Sequence, residues 1–326
     1  MRAIVIREPG GPEVLELRNV PSPEPSGGEV RVRIRATAVN RADLLQRLGM
    51  YPAPPGSPPD IPGLEIAGEV DAVGDGVLDV ARGDRVFALV GGGGYAEQVV
   101  LHSRALAKIP AGMGFTDAAA VPEAFVTAWD AMVTQGRLCA GETVLVHAAG
   151  SGVGTAAMQI AHAIGARPLG TARTPEKVGR LRELGLGEGI LVEGGQFADE
   201  VKARTDGRGV DVVVELVGGP YVEQSLASLA PGGRIVVVGT MAGTRTEIDL
   251  SLLMRKRIEL RGTTLRARPL EEKILAARAL QRHLVPLLAA GVLRPVVDRV
   301  LPLALAAEAH RLVQQNETFG KVVLET

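Results

Sequence analysis

Cys139 is the only cysteine in the chain. A single thiol excludes an internal disulfide and any zinc site built on several thiolates. Aromatic residues are only 3% of the chain against 46% hydrophobic residues in all, so the core must be built mostly of Val, Leu, Ile and Ala. Neither sign of charge dominates: 36 Lys and Arg face 37 Asp and Glu, for a formal net charge of −1. That balance gives no electrostatic reason to expect a nucleic acid or an anionic membrane as a partner. No apolar run approaches the roughly 18 residues of a membrane span, and the opening "MRAIVIREPGG" has no apolar signal core. The expectation is a soluble cytoplasmic protein, and a length of 326 residues points to two domains.

What the chain does contain falls into two successive patterns. The first reads as short strands, "AIVIRE", "VRVRIRA", "IAGEVDAVG", "RVFALV" and "YAEQVVL", punctuated by Gly, Pro and Asp. In "VRVRIRA" apolar residues alternate with arginine, the period of a half-exposed strand. Only "RADLLQRLG" reads as helix here, followed by the loop "YPAPPGSPPDIPG", whose prolines forbid both helix and central strand. The second pattern begins at residue 123 and alternates strands with helices. Near-continuous Val and Ile in those strands argue for a parallel sheet buried on both faces. The expected fold is therefore α/β: a doubly wound parallel-sheet domain over 123–264, with a mainly β domain formed by 1–122. The tail, 265–326, reads as one long helix over 271–291, a strand, a helix and a last strand "KVVLE". It is too short for a domain of its own and is expected to rejoin the first strands.

The turn "VLVHAAGSGVG", residues 144–154, follows the first strand of the alternating region. A dinucleotide-binding turn reads G-x-G-x-x-G, and here only Gly154 stands in place. An anion at a helix start needs free backbone N–H groups, the positive end of the helix dipole and small residues, not glycine as such. Ala149, Ser151 and Gly152 are small, and the Ser151 hydroxyl is a further donor. The expected cofactor contacts in this region are Ser151, Gly152, Val153 and Gly170. Where an NAD site carries an acid for the ribose hydroxyls, this chain has Ala172, then Arg173, with Lys177 one helical turn on. Two cations attract a 2′-phosphate, so NADPH is expected over NADH. The alternative is a merely solvated helix start.

Together, "NRADLLQRLGMYPAPPG", "IPGLEIAGEV", "GDRVFALVGGGGYAEQV", "VPEAFVTAW", "HAAGSGVGTAAMQIA", "GTTLRARP" and "GKVVLE" resemble the medium-chain dehydrogenase/reductase superfamily. Within it the chain looks like the zinc-free quinone oxidoreductase group, and in particular its p53-inducible type. The resemblance implies a GroES-like, partly open barrel as the substrate domain, a cleft between the domains, and a homodimer paired through the nucleotide domain. It also implies that the ligand positions of zinc alcohol dehydrogenases are held here by Asn40, Leu64 and Glu123, which do not make a zinc site. The five histidines are scattered and supply no substitute.

Without a metal no strong Lewis acid activates a plain ketone. A quinone or activated enone needs less help, because hydride addition leaves a delocalised anion. The expected activity is NADPH-dependent quinone reduction. Its rivals are an enoyl or double-bond reductase on the same scaffold and a non-catalytic, crystallin-like NADPH binder. The resemblance places Tyr51 over the nicotinamide, with packing against the prolines as the alternative. It makes Asn40 a polar wall of the site, with a strand-ending asparagine as the alternative. Thr127 faces the cofactor or is a core threonine. Thr240, Leu265 and Arg266 surround the nicotinamide, and Lys321, in the last loop, contacts the cofactor. Glu193 departs from the family's pattern and leaves the adenine without an evident stacking partner.

Overall fold

The computed structural model describes residues 1–326 and divides into two compact units, Met1–Val126 with Leu265–Thr326, and Thr127–Thr264. The helix Pro122–Trp129 carries the chain from the first unit into the second. The sequence pattern changes where that helix starts, whereas the packing changes within it.

The first unit begins with an antiparallel pair, β1 (Arg2–Ile6) and β2 (Leu15–Asn19). Then come β3 (Glu29–Ala38), β4 (Glu65–Val73), β5 (Arg85–Leu89), β6 (Gln98–His102) and β7 (Leu106–Lys108). β3, β4, β5 and β7 form an antiparallel ladder, and β6 pairs with the first half of β3. The alternation read in "VRVRIRA" has its physical outcome in β3: Val30, Val32 and Ile34 are at most 1% exposed while the arginines between them turn outward. They pack with Ile66, Val70, Val86, Ala88 and Val99. Burying each such side chain contributes about 1.5–3 kcal/mol relative to leaving it in water.

The second unit is a six-stranded, wholly parallel sheet of β8 (Thr143–Val146), β9 (Arg167–Ala172), β10 (Glu188–Leu191), β11 (Val210–Glu215), β12 (Leu229–Val237) and β13 (Glu259–Gly262). Their order is β10-β9-β8-β11-β12-β13. With β8 counted as first strand this is 3-2-1-4-5-6, the order of a dinucleotide-binding sheet, and the chain reverses direction across the sheet between β8 and β11. Val144–Val146 and Val212–Val214 have no exposure at all, as strands covered on both faces require. The helix Leu250–Lys256 and β13 lie outside the sequence reading. No residue of that helix is buried and all four residues of β13 are exposed, so neither carries a periodic apolar face to be recognised.

The tail rejoins the first unit. β15 (Lys321–Glu325) pairs antiparallel with the end of β3 and parallel with β14 (Val297–Pro302). The resulting path, β14-β15-β3-β4-β5-β7, leaves β14 and β7 as its two ends. The helix expected over 271–291 is present as one continuous helical run over 270–289, with a π turn at Leu280–Leu284 between Leu270–Ala279 and Val285–Ala289. The π turn comes just before Pro286, which has no N–H to give and whose ring would crowd the carbonyl four residues back in an ordinary α turn. No helix is long and apolar enough to cross a membrane.

Candidate active site

β8 ends at Val146, and the turn behind it contains Ala148 with a left-handed φ of 47°. Ser151 caps the helix Gly152–Ala163, its Oγ accepting the Gly154 N–H at 3.0 Å. The hydroxyl proton of Ser151 remains free to be donated elsewhere. The amides of Gly152 and Val153 lead the first turn, where no intrahelical acceptor exists and the helix dipole is positive. An anion fits that end. Gly154 is required for packing: a Cβ there would lie 2.4 Å from the Ala148 carbonyl oxygen and 2.6 Å from the Ala149 Cα. Gly170, in β9, is equally constrained, since a Cβ would meet that of Ala149 at 2.6 Å. Gly170 thus supports the turn from below.

β9 ends at the buried Ala172, and Arg173 beyond it is exposed. Thr174 caps the helix Pro175–Glu183 by accepting the Lys177 N–H at 3.3 Å, and Lys177 itself is half-buried. Cations at a helix start are mildly unfavourable unless an anion joins them. Thr240 is exposed just beyond β12, Thr127 is buried in the helix Pro122–Trp129, and Glu193 is exposed after β10.

In the first unit a polar cluster gathers where β3, β4 and β15 meet. Asn40 starts the helix Arg41–Arg47, and its N–H donates to Asp43 Oδ2 at 2.8 Å. Its Nδ2 donates to Glu65 Oε1 at 2.9 Å, and its Oδ1 accepts from Lys321 Nζ at 2.5 Å. Lys321 also lies 2.7 Å from Glu65 Oε1 and donates to the Val39 carbonyl at 3.0 Å. The sequence reading puts Lys321 in a loop, against a cofactor. The structure makes it the first residue of β15, 5% exposed, with its ammonium engaged inside the unit. Glu65 is fully buried and its Oε2 accepts the Glu123 N–H at 2.8 Å.

Arg266 is likewise turned inward. It donates to the carbonyls of Gly91 (2.8 Å) and Tyr51 (3.0 Å) and to Gln46 Oε1 (2.5 Å), and its guanidinium stacks 5.0 Å from the centre of the Tyr51 ring. It therefore pins the loop that carries Tyr51, and Leu265 beside it is half-buried. Partial burial of Tyr51 pushes its pKa above the ordinary phenol value, so its hydroxyl keeps its proton.

Sequence reasoning missed the line of groups behind this cluster. Arg47 meets His310 Nδ1 at 3.3 Å, His310 Nε2 meets the Tyr95 hydroxyl at 3.1 Å, and Tyr95 meets Asp43 Oδ2 at 3.3 Å. Burial pushes His310 down to about 3 and Asp43 up to about 6. Glu123, partly buried, is pushed up to about 8 by burial and then by the charge of Glu65. It is a carboxyl that holds its proton near neutral pH. Only the Asp43–Arg47 spacing, one helical turn, hints at this network from sequence, because Tyr95 and His310 lie 52 and 263 residues from their partners Asp43 and Arg47.

The donors do not fit zinc. Leu64 offers no ligand atom, and the Asn40 oxygen is taken by Lys321. The ammonium of Lys321 already compensates the Glu65 carboxylate, and no group of three or more His, Cys, Asp or Glu side chains gathers as a metal set would.

Residues 26–111 match the alcohol dehydrogenase GroES-like domain family and residues 152–281 the zinc-binding dehydrogenase family. The chain belongs to the medium-chain dehydrogenase/reductase superfamily. Human quinone oxidoreductase is 36% identical over 99% of this chain and 97% of its own length, which sets the chain in the quinone oxidoreductase group. Among solved structures, an NAD-dependent alcohol dehydrogenase superposes with a TM-score of 0.88 at 36% identity, covering 100% of both chains. The mycobacterial Rv1454c, solved in complex with NADPH, gives a TM-score of 0.89 at 31% identity, again with 100% of both chains covered.

Proposed function

We propose that this protein reduces quinones with NADPH by hydride transfer, without a metal ion. The observation that carries the metal-free part is Lys321. Its ammonium takes the oxygen of Asn40, one of the three positions that carry metal ligands in zinc enzymes of this superfamily, and is itself compensated by Glu65. The quinone part rests on acceptor chemistry and on the name of the human relative. When bound, NADPH supplies the hydride; a quinone accepts it as a delocalised phenolate and needs no Lewis acid. The residues proposed to serve the reaction are Tyr51, whose hydroxyl keeps its proton to give a hydrogen bond, and Ser151, whose hydroxyl proton is free at the helix start. Their proposed contribution is positioning rather than chemistry of their own.

Solved neighbours named for NAD and for NADPH both exist, so the chain's own residues must decide. Ala172 removes the acid that would repel a 2′-phosphate, and Arg173 and Lys177 stand at the same strand end. A charge-assisted phosphate contact contributes about 1.5–3 kcal/mol. Lys177→Ala is therefore expected to weaken NADPH about tenfold or more and to leave NADH nearly unchanged. Steady-state kinetics with both cofactors read this out. Equal or better kcat/KM with NADH in the wild-type protein would reverse the cofactor assignment.

We read the protein as a homodimer paired through the six-stranded sheet. β13 is one of the two edges of that sheet, with Leu260 exposed on it and Leu250 and Met254 exposed on the helix that precedes it. An open edge with apolar side chains calls for a covering partner. We place the protein in the cytoplasm, where an exposed free thiol such as Cys139 persists.

A further inference from the structure

Beneath the nucleotide turn lies a polar chain that the proposed chemistry does not use. Thr171, His147, Ser225 and Glu215 are at most 1% exposed. His147 Nδ1 is 2.9 Å from Thr171 Oγ1, and His147 Nε2 is 2.9 Å from Ser225 Oγ. Ser225 Oγ donates to Glu215 Oε2 at 2.8 Å. The other carboxylate oxygen, Oε1, accepts the N–H groups of Val217 (2.8 Å) and Gly218 (2.9 Å). Phe197 and Tyr221 pack against the imidazole, with ring centres at 4.8 and 5.3 Å.

The proton arrangement is determined by elimination. Ser225 has one hydroxyl proton, and Glu215 takes it. On the His147–Ser225 contact the imidazole must therefore donate from Nε2. Burial holds the imidazole neutral against the pull of Glu215, so Nδ1 is an acceptor and Thr171 donates to it. Every group has one role, running from Thr171 through His147 and Ser225 to Glu215.

This chain ties together the backbone segments that form the rim of the sheet. His147 directly precedes the Ala148–Ser151 turn, and the Ala149 N–H is bonded to the Thr171 carbonyl at 2.9 Å. Glu215 ends β11 and fixes the amides of the next loop. The Glu215 carbonyl also accepts the N–H groups of Val238 (2.9 Å) and Gly239 (3.2 Å), just before Thr240. β8 and β11 are the neighbours between which the strand order reverses, the place where ligands bind in such sheets.

We propose that His147, Ser225 and Glu215 are positioning residues that lock the phosphate turn after β8 to the loop after β11, and so set the affinity for the dinucleotide without touching it. The inference rests on the nucleotide site assigned above. A half-satisfied buried network loses its rigidity first, and residues without ligand contact shift binding by about 3- to 30-fold. The test measures NADPH binding by cofactor fluorescence with no acceptor present, together with kcat at saturating NADPH and the melting temperature. Ser225→Ala is expected to raise Kd for NADPH about 3- to 30-fold while kcat at saturation changes less than about twofold. His147→Gln, whose amide can both accept from Thr171 and donate to Ser225, is expected to keep near-wild-type affinity, and His147→Leu is expected to lose it. Val201→Ala, in the same core but outside the network, serves as the control for plain destabilisation. Wild-type Kd in Ser225→Ala and His147→Leu, with a melting loss like that of Val201→Ala, would overturn the proposal. Failure of the wild-type protein itself to bind NADPH would overturn the nucleotide reading and this inference with it.

Discussion

Lys321→Met is expected to cost the fold about 3–5 kcal/mol. The substitution removes the ammonium from the fully buried Glu65 carboxylate and leaves Asn40 Nδ2 and the Glu123 amide as its remaining donors. Breaking one side of a buried pair strands a charge, whereas removing both sides is often close to neutral. The double variant Lys321→Met, Glu65→Leu is therefore expected to recover much of the loss. Urea unfolding of the two single variants and the double variant gives the coupling directly. Unchanged stability in Lys321→Met, together with weakened NADPH binding, would show instead that Lys321 contacts the cofactor.

Glu123 is expected to make the protein less stable as the solution becomes alkaline. Its pKa is raised from 4.5 to about 8 in the folded state. A raised carboxyl binds its proton more tightly when folded, so its stabilising contribution is complete below the unfolded value and is lost as pH rises through about 8. Asp43, raised to about 6, acts in the same direction but has finished by neutral pH. His310, lowered to about 3, acts oppositely, and its contribution is lost as pH falls below 6.5. From pH 7 upward Glu123 is the group of this cluster still titrating. Roughly 2 kcal/mol should disappear between about pH 6.5 and 9, at a slope of about 1.4 kcal/mol per pH unit near pH 6.5 that halves by about pH 8 and fades above it. Glu123→Gln keeps the shape and cannot ionise. It is expected to flatten that slope and to be the more stable protein at the alkaline end. A wild-type profile flat across this range, or a Glu123→Gln profile with the same slope, would contradict the assignment.

The parts of this fold legible in the sequence are those with a local cause. The period of "VRVRIRA" is set by one buried face of β3, and the parallel sheet by near-continuous apolar strands, of which the central β11 is buried at every residue. The strand-to-helix turn at 144–154 is legible because small residues and glycines mark it, whatever their order. β13 and the helix Leu250–Lys256 are not legible, because an exposed edge imposes no apolar period. The side-chain partners are illegible for a different reason. Asn40 and Lys321 are bonded across 281 residues of chain, and Arg266 and Gln46 across 220. The cofactor contacts expected of Lys321 and Arg266 come from the family resemblance, and nothing near either residue in sequence announces the buried partner it has here. His147 stands at the end of the apolar run "VLVH", yet the carboxylate that completes its network stands 68 residues on, at the end of "VDVVVE".

The central claim is that this chain carries hydride from NADPH to quinones without a metal. The most direct measurement is NADPH oxidation by the wild-type protein with 1,2- and 1,4-quinones, beside enones and enoyl-CoA esters, each with and without a strong chelator. The highest kcat/KM is expected on a quinone, with no loss of rate in chelator. A higher kcat/KM on an enone or enoyl thioester, a rate abolished by chelator and restored by zinc, or NADPH binding with no turnover on any acceptor would contradict the claim.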